Sequence, residues 1–181
     1  MLKLCDNPPM LYPEVQGVTQ LTGPWWVAHT RARFEKAFAW DLLYRGIGYF
    51  LPLLKRVIIS GGRRRQVMAP LFSSYVFFCG TDEDRYAAMT TNRLCQTIRI
   101  ADQERFVAQI AAVEKALAGR VPLDLYPFAA VGERCRIKAG PFQGTEGIVI
   151  HRGKPARFVL EVSILGQGAS MEVDADLLEP V

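Results

Sequence analysis

The sequence is poor in metal-binding and nucleophilic residues. Of its 181 residues, four are cysteine and two are histidine. Cys5, Cys79, Cys95 and Cys135 include no C-x-x-C pair, and His29 and His151 stand alone. The clustered ligands that a zinc site requires are therefore missing. Cys79 and Cys95 sit in apolar, strand-like runs and read as small core residues. There is no phosphate loop or nucleophile elbow, and neither histidine has a Cys or Ser arrangement close by in sequence. An enzyme is not expected, and neither is a metal or other cofactor. Long apolar runs are also lacking: none approaches the roughly 20 residues of a membrane span. The opening residues lack the continuous apolar stretch of a secretory leader. The expectation is a cytoplasmic protein with reduced thiols and no membrane contact.

What the sequence does have is a globular composition, 50% hydrophobic and 22% charged. The net charge of +4 is unevenly spread. Residues 24–118 carry 14 Lys and Arg against 8 Asp and Glu, whereas residues 128–181 carry 6 against 7. The basic surplus, and any preference for a polyanion, thus belongs to the first large segment. A solvated basic surface is the plainer reading of the same surplus.

Residues 1–23 hold no lasting period and read as a loose N-terminal extension. From Pro24 the pattern changes. Trp25-Trp26-Val27-Ala28 favours a strand. Residues 33–45 place Phe34, Ala37, Phe38, Trp40, Leu42 and Tyr44 near helical spacing, ending at Gly46. Tyr49 to Ile59 is one long apolar, β-branched run, closed by Ser60-Gly61-Gly62 as a turn. Strands follow at 66–69, 75–79 and 94–100, with a short helix at 82–89 that Thr81 can cap. Residues 103–118 form an amphipathic helix ending at Gly119. The order predicts an α+β unit over 24–118, an antiparallel sheet with helices packed on it. Residues 119–127 read as a linker. From Phe128 to Val181, short strands and frequent glycines predict a small β-barrel.

The barrel segment contains Gly140-Pro141-Phe142-Gln143-Gly144. Val131, Cys135 and Ile137 alternate with polar residues, so one face of this strand is buried. Gly140 and Gly144 bracket a tight loop in which Phe142 is the only large apolar side chain. Gly147 allows close backbone approach as the chain re-enters the sheet. Phe142 either folds back as a lid on the barrel or stands out as an anchor for a protein partner.

Gly132 to Val149 resembles a KOW motif, and the stretches from Leu160 and from Val173 resemble the rest of an SH3-like KOW domain. Upstream, Trp25 to Lys36, Tyr49 to Leu53 and Pro70 to Phe78 resemble the N-terminal domain of NusG-type transcription factors. The likeness spans residues 24–181. It departs from the family at Ser73-Ser74, where Pro-Gly is usual, and at Gly166-Gln167, where Gly-Arg often occurs.

The resemblance implies an RNA polymerase partner, with Trp26, Pro70, Leu71, Phe72 and Tyr75 lining an apolar depression for the polymerase clamp helices. The same side chains could equally be ordinary core. It implies a gate-loop contact through Thr90 and Thr91, a pair that also suits a helix end. It implies contact with non-template or upstream DNA through His29, Arg31 and Arg33 and through Arg63, Arg64 and Arg65 at a hairpin tip. A solvated tip is the bland alternative. For the KOW domain it implies a contact of Gly140, Pro141, Phe142, Gly144 and Leu165 with a small-subunit ribosomal protein or Rho. The expectation is a monomeric elongation or antitermination factor that suppresses pausing or termination. Thr90-Thr91, the Arg31/Arg33 pair and the linker Leu125–Phe128 lean towards a specialised paralogue of the RfaH or UpxY type. An RNA-binding or ribosome-associated KOW protein is the alternative.

Overall fold

The computed structural model describes residues 7–120, 122–126, 132–151 and 156–181. Cys5, the expected barrel start at Phe128, and Val131 lie outside the described residues. The chain forms two compact units, Met1–Gln103 and Glu104–Val181. Both are built on antiparallel sheets, and three α-helices complete a mixed α/β architecture.

The first unit runs β1 (Leu11–Tyr12), β2 (Trp25–Thr30), α1 (Glu35–Tyr44), β3 (Gly48–Phe50), β4 (Leu53–Ser60), β5 (Arg63–Pro70), β6 (Tyr75–Cys79), α2 (Asp82–Met89) and β7 (Leu94–Arg99). Its central sheet has the order β1-β3-β6-β2-β7. One face, carrying Trp26, Ala28, Tyr49, Val76 and Phe78, packs on Phe38, Ala39 and Leu42 of α1 and Ala88 of α2. The other face buries Trp25, Val27 and Phe77, with Phe50 stacked on Phe77 at 6.3 Å and Phe72 edge-on to it at 5.8 Å. Helix α1 ends where Gly46 takes φ 71°, as the glycine predicts. Helix α2 is capped by Thr81, whose hydroxyl accepts from the Asp84 amide while Asp84 accepts from the Thr81 amide.

Two expectations change here. The extension is not loose throughout, because β1 pairs with β3 through Leu11↔Phe50 and Tyr12↔Tyr49, and Val18 is fully buried. Pairing supplies the reason: without β1, the backbone of β3 would be an open edge beside a buried core. The long apolar run 49–59 is not one strand either. Pro52 has no amide to donate and breaks it. Its first part joins the central sheet as β3, and its second part pairs only with β5 in a separate two-stranded ribbon.

The second unit contains α3 (Gln103–Ala118, from Glu104 onward), β8 (Asp124–Tyr126), β9 (Glu133–Ile137), β10 (Glu146–His151), β11 (Ala156–Val162), β12 (Gln167–Val173) and β13 (Leu178–Pro180). Its sheet order is β13-β9-β10-β11-β12-β8. Among the described residues this ladder is open at β13 and β8 and does not close into the expected barrel. Part of the expected linker is structured: Leu125 of β8 pairs with Ala169 of β12. The core is Cys135, Ile137, Ile148, Phe158, Leu160 and Met171. Helix α3 is contacted by the loops of this sheet. The Gln109 side chain donates to Ser163 Oγ at 2.6 Å and accepts from the Ser163 amide at 3.2 Å.

Candidate functional site

The candidate residues occupy four places. The first is the end of β6 and the loop before it. Leu71 and Phe72 are fully buried, and Pro70 and Tyr75 are half-buried. Tyr75 stacks on His29, its cross-strand partner, with ring centroids 5.0 Å apart. Trp26 is not brought to this group. Side chains alternate across a strand, and the pairing Trp26↔Phe78 puts the indole on the helix-covered face, opposite His29 and Tyr75. There its Nε1 donates to the Gly80 carbonyl at 3.3 Å and the Arg85 guanidinium lies 5.1 Å over its ring. The single depression with all five residues is thus corrected to Pro70 and Tyr75 at the surface, Leu71 and Phe72 beneath, and Trp26 elsewhere.

Ser74 completes this loop in the left-handed region, with φ 67°. At this position the resemblance leads one to expect glycine. The buried carboxylate of Glu35 holds it, accepting the Ser74 amide at 2.6 Å. The Ser74 carbonyl accepts from the Thr30 amide at 2.8 Å. The loop is therefore formed without Pro-Gly, at the cost of a strained serine. Ser74→Gly is expected to raise stability by about 0.5–1 kcal/mol, because relief of the left-handed penalty exceeds the extra unfolded-state entropy of glycine. A urea midpoint that falls in this variant would contradict the account.

The second place is the C-terminal end of α2. Thr90 Oγ1 donates to the Ala87 carbonyl and Thr91 Oγ1 to the Ala88 carbonyl, each at 2.8 Å. Both hydroxyls are occupied in finishing the helix; Thr90 is exposed and Thr91 half-buried.

The third is the basic surface. Arg31 and Arg33 are exposed just before α1, and Arg33 has φ 68°. The ribbon of β4 and β5 carries Lys55, Arg56, Arg63, Arg64 and Arg65, all exposed, and no acidic residue. Its turn, Gly61-Gly62, has φ 56° and 73°, the left-handed pair that a two-residue hairpin needs. Among the described residues, none of Arg63, Arg64 and Arg65 forms an ion pair. By contrast, Arg93 is engaged, 3.0 Å from Asp41 and over the Phe34 ring. Sequence reading found the arginine triplet but missed that Lys55, Arg56, Val57 and Ile59 belong to the same ribbon. The signal was there: basic residues on both sides of Gly61-Gly62 with no acid between Leu53 and Pro70.

The fourth place is the loop of the second unit. Gly140 and Gly144 have φ 89° and 82°, and the Gly144 amide donates to the Ile137 carbonyl at 2.7 Å. Gly140 and Pro141 are exposed and Phe142 is half-buried. Lys115 of α3 lies 5.8 Å over the Phe142 ring. Leu165 ends a short 3-10 turn, Ser163–Leu165, and is half-buried.

Cys79 and Cys135 are buried, whereas Cys95, expected in the core, is exposed, because β7 is the edge strand of its sheet. Burial pushes the Cys79 thiol up to about 11, and the Asp84 carboxylate adds to it. Burial also raises the Cys135 thiol. Among the described residues there is no group of three or more His, Cys, Asp or Glu that could hold a metal ion, and no helix is long and apolar enough to cross a membrane.

Residues 23–117 match a family model described as NusG, transcription termination factor nusG. Among solved structures, the chain is similar to NusG of Thermotoga maritima, studied for its domain interaction, at 18% identity and a TM-score of 0.47, covering 87% of this chain and 97% of that one. It is also similar to an MjSpt4:Spt5 complex, at 17% identity and a TM-score of 0.27, covering 87% and 96%. No match was found among curated proteins.

Proposed function

Because the chain belongs to the NusG family of transcription factors, as the match over more than half its length establishes, we propose that it is an elongation or antitermination factor. In this reading the first unit binds RNA polymerase and suppresses pausing or termination. The second unit is a KOW domain that recruits a further partner, a small-subunit ribosomal protein or Rho, through the loop of Phe142 and the turn of Leu165. The observation that carries the reading is coincidence of place. The family match falls on the segment that holds the basic surplus and Arg63, Arg64 and Arg65, which form no ion pair among the described residues. Pro70 and Tyr75 offer the polymerase an apolar edge backed by the buried Leu71 and Phe72. Arg31, Arg33 and the hairpin arginines face nucleic acid, where phosphate contacts give affinity that falls with salt.

The Thr90-Thr91 turn and the Arg31/Arg33 pair favour a specialised paralogue of the RfaH or UpxY type. The alternative, an RNA-binding or ribosome-associated KOW protein, draws less support from charge, since residues 128–181 carry no basic surplus. Purified bacterial RNA polymerase should retain the full-length chain. Tyr75→Ala should weaken that retention about tenfold, the scale of an interface aromatic. Ribosome binding without polymerase binding would replace this reading with the alternative.

A further inference from the structure

The β4–β5 ribbon joins neither larger sheet, and among the described residues no third strand pairs with it. Its two strands differ in what they meet. β5 is met by α1, where Lys36 Nζ donates to the Met68 carbonyl. β4 pairs with β5 alone. It therefore presents an open edge, along which every second amide and carbonyl points away from β5. Two common safeguards of such an edge are missing. Residues 53–60 pair in unbroken register without a bulge, and they contain no proline. Val57 is 60% exposed and Ile59 71%, and alternation puts both on the face of Lys55. What guards β4 is charge of one sign. Lys55 and Arg56 are exposed, one on each face, and no acidic residue lies between Leu53 and Pro70. A second copy of β4 laid alongside would set cations beside cations, which cross-strand pairing disfavours. The edge thus turns away its own copy and admits an acidic strand. A purely phosphate-bearing ligand would use the cations, but neither the backbone edge nor Val57 and Ile59.

We propose that β4 receives an acidic, extended segment of a partner protein as a third strand of the ribbon. The backbone of that segment bonds the open edge, its carboxylates lie beside Lys55 and Arg56, and its apolar side chains cover Val57 and Ile59. The proposal goes beyond the functional reading, which uses the arginines of β5 and gives β4 no role.

The test uses the full chain and a labelled peptide as long as β4, Val-Thr-Val-Glu-Glu-Val-Thr-Val. In either orientation its paired glutamates meet Lys55 and Arg56, and valines fall opposite Val57 and Ile59. One control peptide carries lysine in place of glutamate. A second is N-methylated along its backbone and cannot donate hydrogen bonds. By fluorescence anisotropy at low salt, the acidic peptide should bind at least about tenfold tighter than either control. Its binding should slow hydrogen exchange, read by NMR, at alternate amides between Lys55 and Ile59, because a third strand covers every second one. Lys55→Glu combined with Arg56→Glu should reverse the preference towards the lysine peptide. Val57→Thr combined with Ile59→Thr preserves branching and removes apolar contact, and should weaken the acidic peptide about fivefold. Circular dichroism melts of both variants should match the parent, since these positions are exposed. If the charge-reversed chain fails to fold, the exchange pattern of the unaltered chain decides. No peptide binding, equal binding of the three peptides, or binding that slows no β4 amide would overturn the proposal. So would a DNA duplex that protects the β4 amides as strongly as the peptide does, because the edge would then belong to nucleic acid.

Discussion

Phe78→Ala is expected to destabilise the first unit by about 3–5 kcal/mol, the range for deleting a fully buried aromatic ring from a packed core. Phe78 sits on β6, the middle strand of the five-stranded sheet, and has no exposed surface. It pairs with Tyr49 on one side and Trp26 on the other, and meets Phe38 of α1 edge-on with ring centroids 6.3 Å apart. Neither neighbouring strand can close the gap without breaking its ladder, and α1 is held by Phe38, Ala39 and Leu42 together. Trp25, Trp26 and Trp40, the chain's three tryptophans, all lie in this unit, so urea unfolding followed by tryptophan fluorescence reads it directly. The midpoint should fall sharply at an unchanged slope. Tyr86→Ala, at a position 69% exposed, serves as the control and should shift stability by less than about 0.5 kcal/mol. A Phe78→Ala midpoint no lower than that control would refute the placement of the core.

Gly147→Ala is the corresponding lesion in the second unit. Gly147 is buried on β10, paired with Cys135 of β9. An added Cβ would stand 2.5 Å from Phe158 Cζ and press on the Val159 carbonyl oxygen. Phe158 is fully buried, so its ring has nowhere to turn, and the carbonyl belongs to the backbone of β11. The expected cost is about 3 kcal/mol, the upper end for overpacking a tight core. Gly140→Ala provides the contrast, since nothing lies within 4 Å of its Cβ and only the φ of 89° resists, at about 1–2 kcal/mol. Hydrogen exchange at the β10 and β11 amides should accelerate far more in the first variant than in the second. Equal protection in the two would show that Gly147 is not the close approach described.

Much of this was legible in the sequence. The alternation of Cys135 and Ile137 marks a half-buried strand, and both are buried. Thr81 announces the start of α2 because an N-cap is a local arrangement, complete within four residues. Gly46 and Gly61-Gly62 mark the end of a helix and a hairpin turn because only glycine adopts left-handed backbone cheaply. The family is equally a property of the sequence, carried by the order of its motifs.

The candidate surfaces were less legible. Trp26, Phe72 and Tyr75 look alike as aromatics, but the face each occupies depends on strand register, which is set by pairing between residues about fifty apart. Ser74 adopts the glycine conformation because Glu35, distant in sequence, is buried beside its amide. The first strand of the ribbon was hidden inside an apolar run, Tyr49 to Ile59, that looked like one continuous strand. Only the break at Pro52 and the absence of a third partner strand turned it outward. Local chemistry, which acts within a turn or a helix end, was determined by the sequence alone. Which side chains share a face, which are covered and which are left to meet a partner was decided by long-range pairing and packing, because burial is a property of what lies opposite a residue and not of its neighbours in the chain.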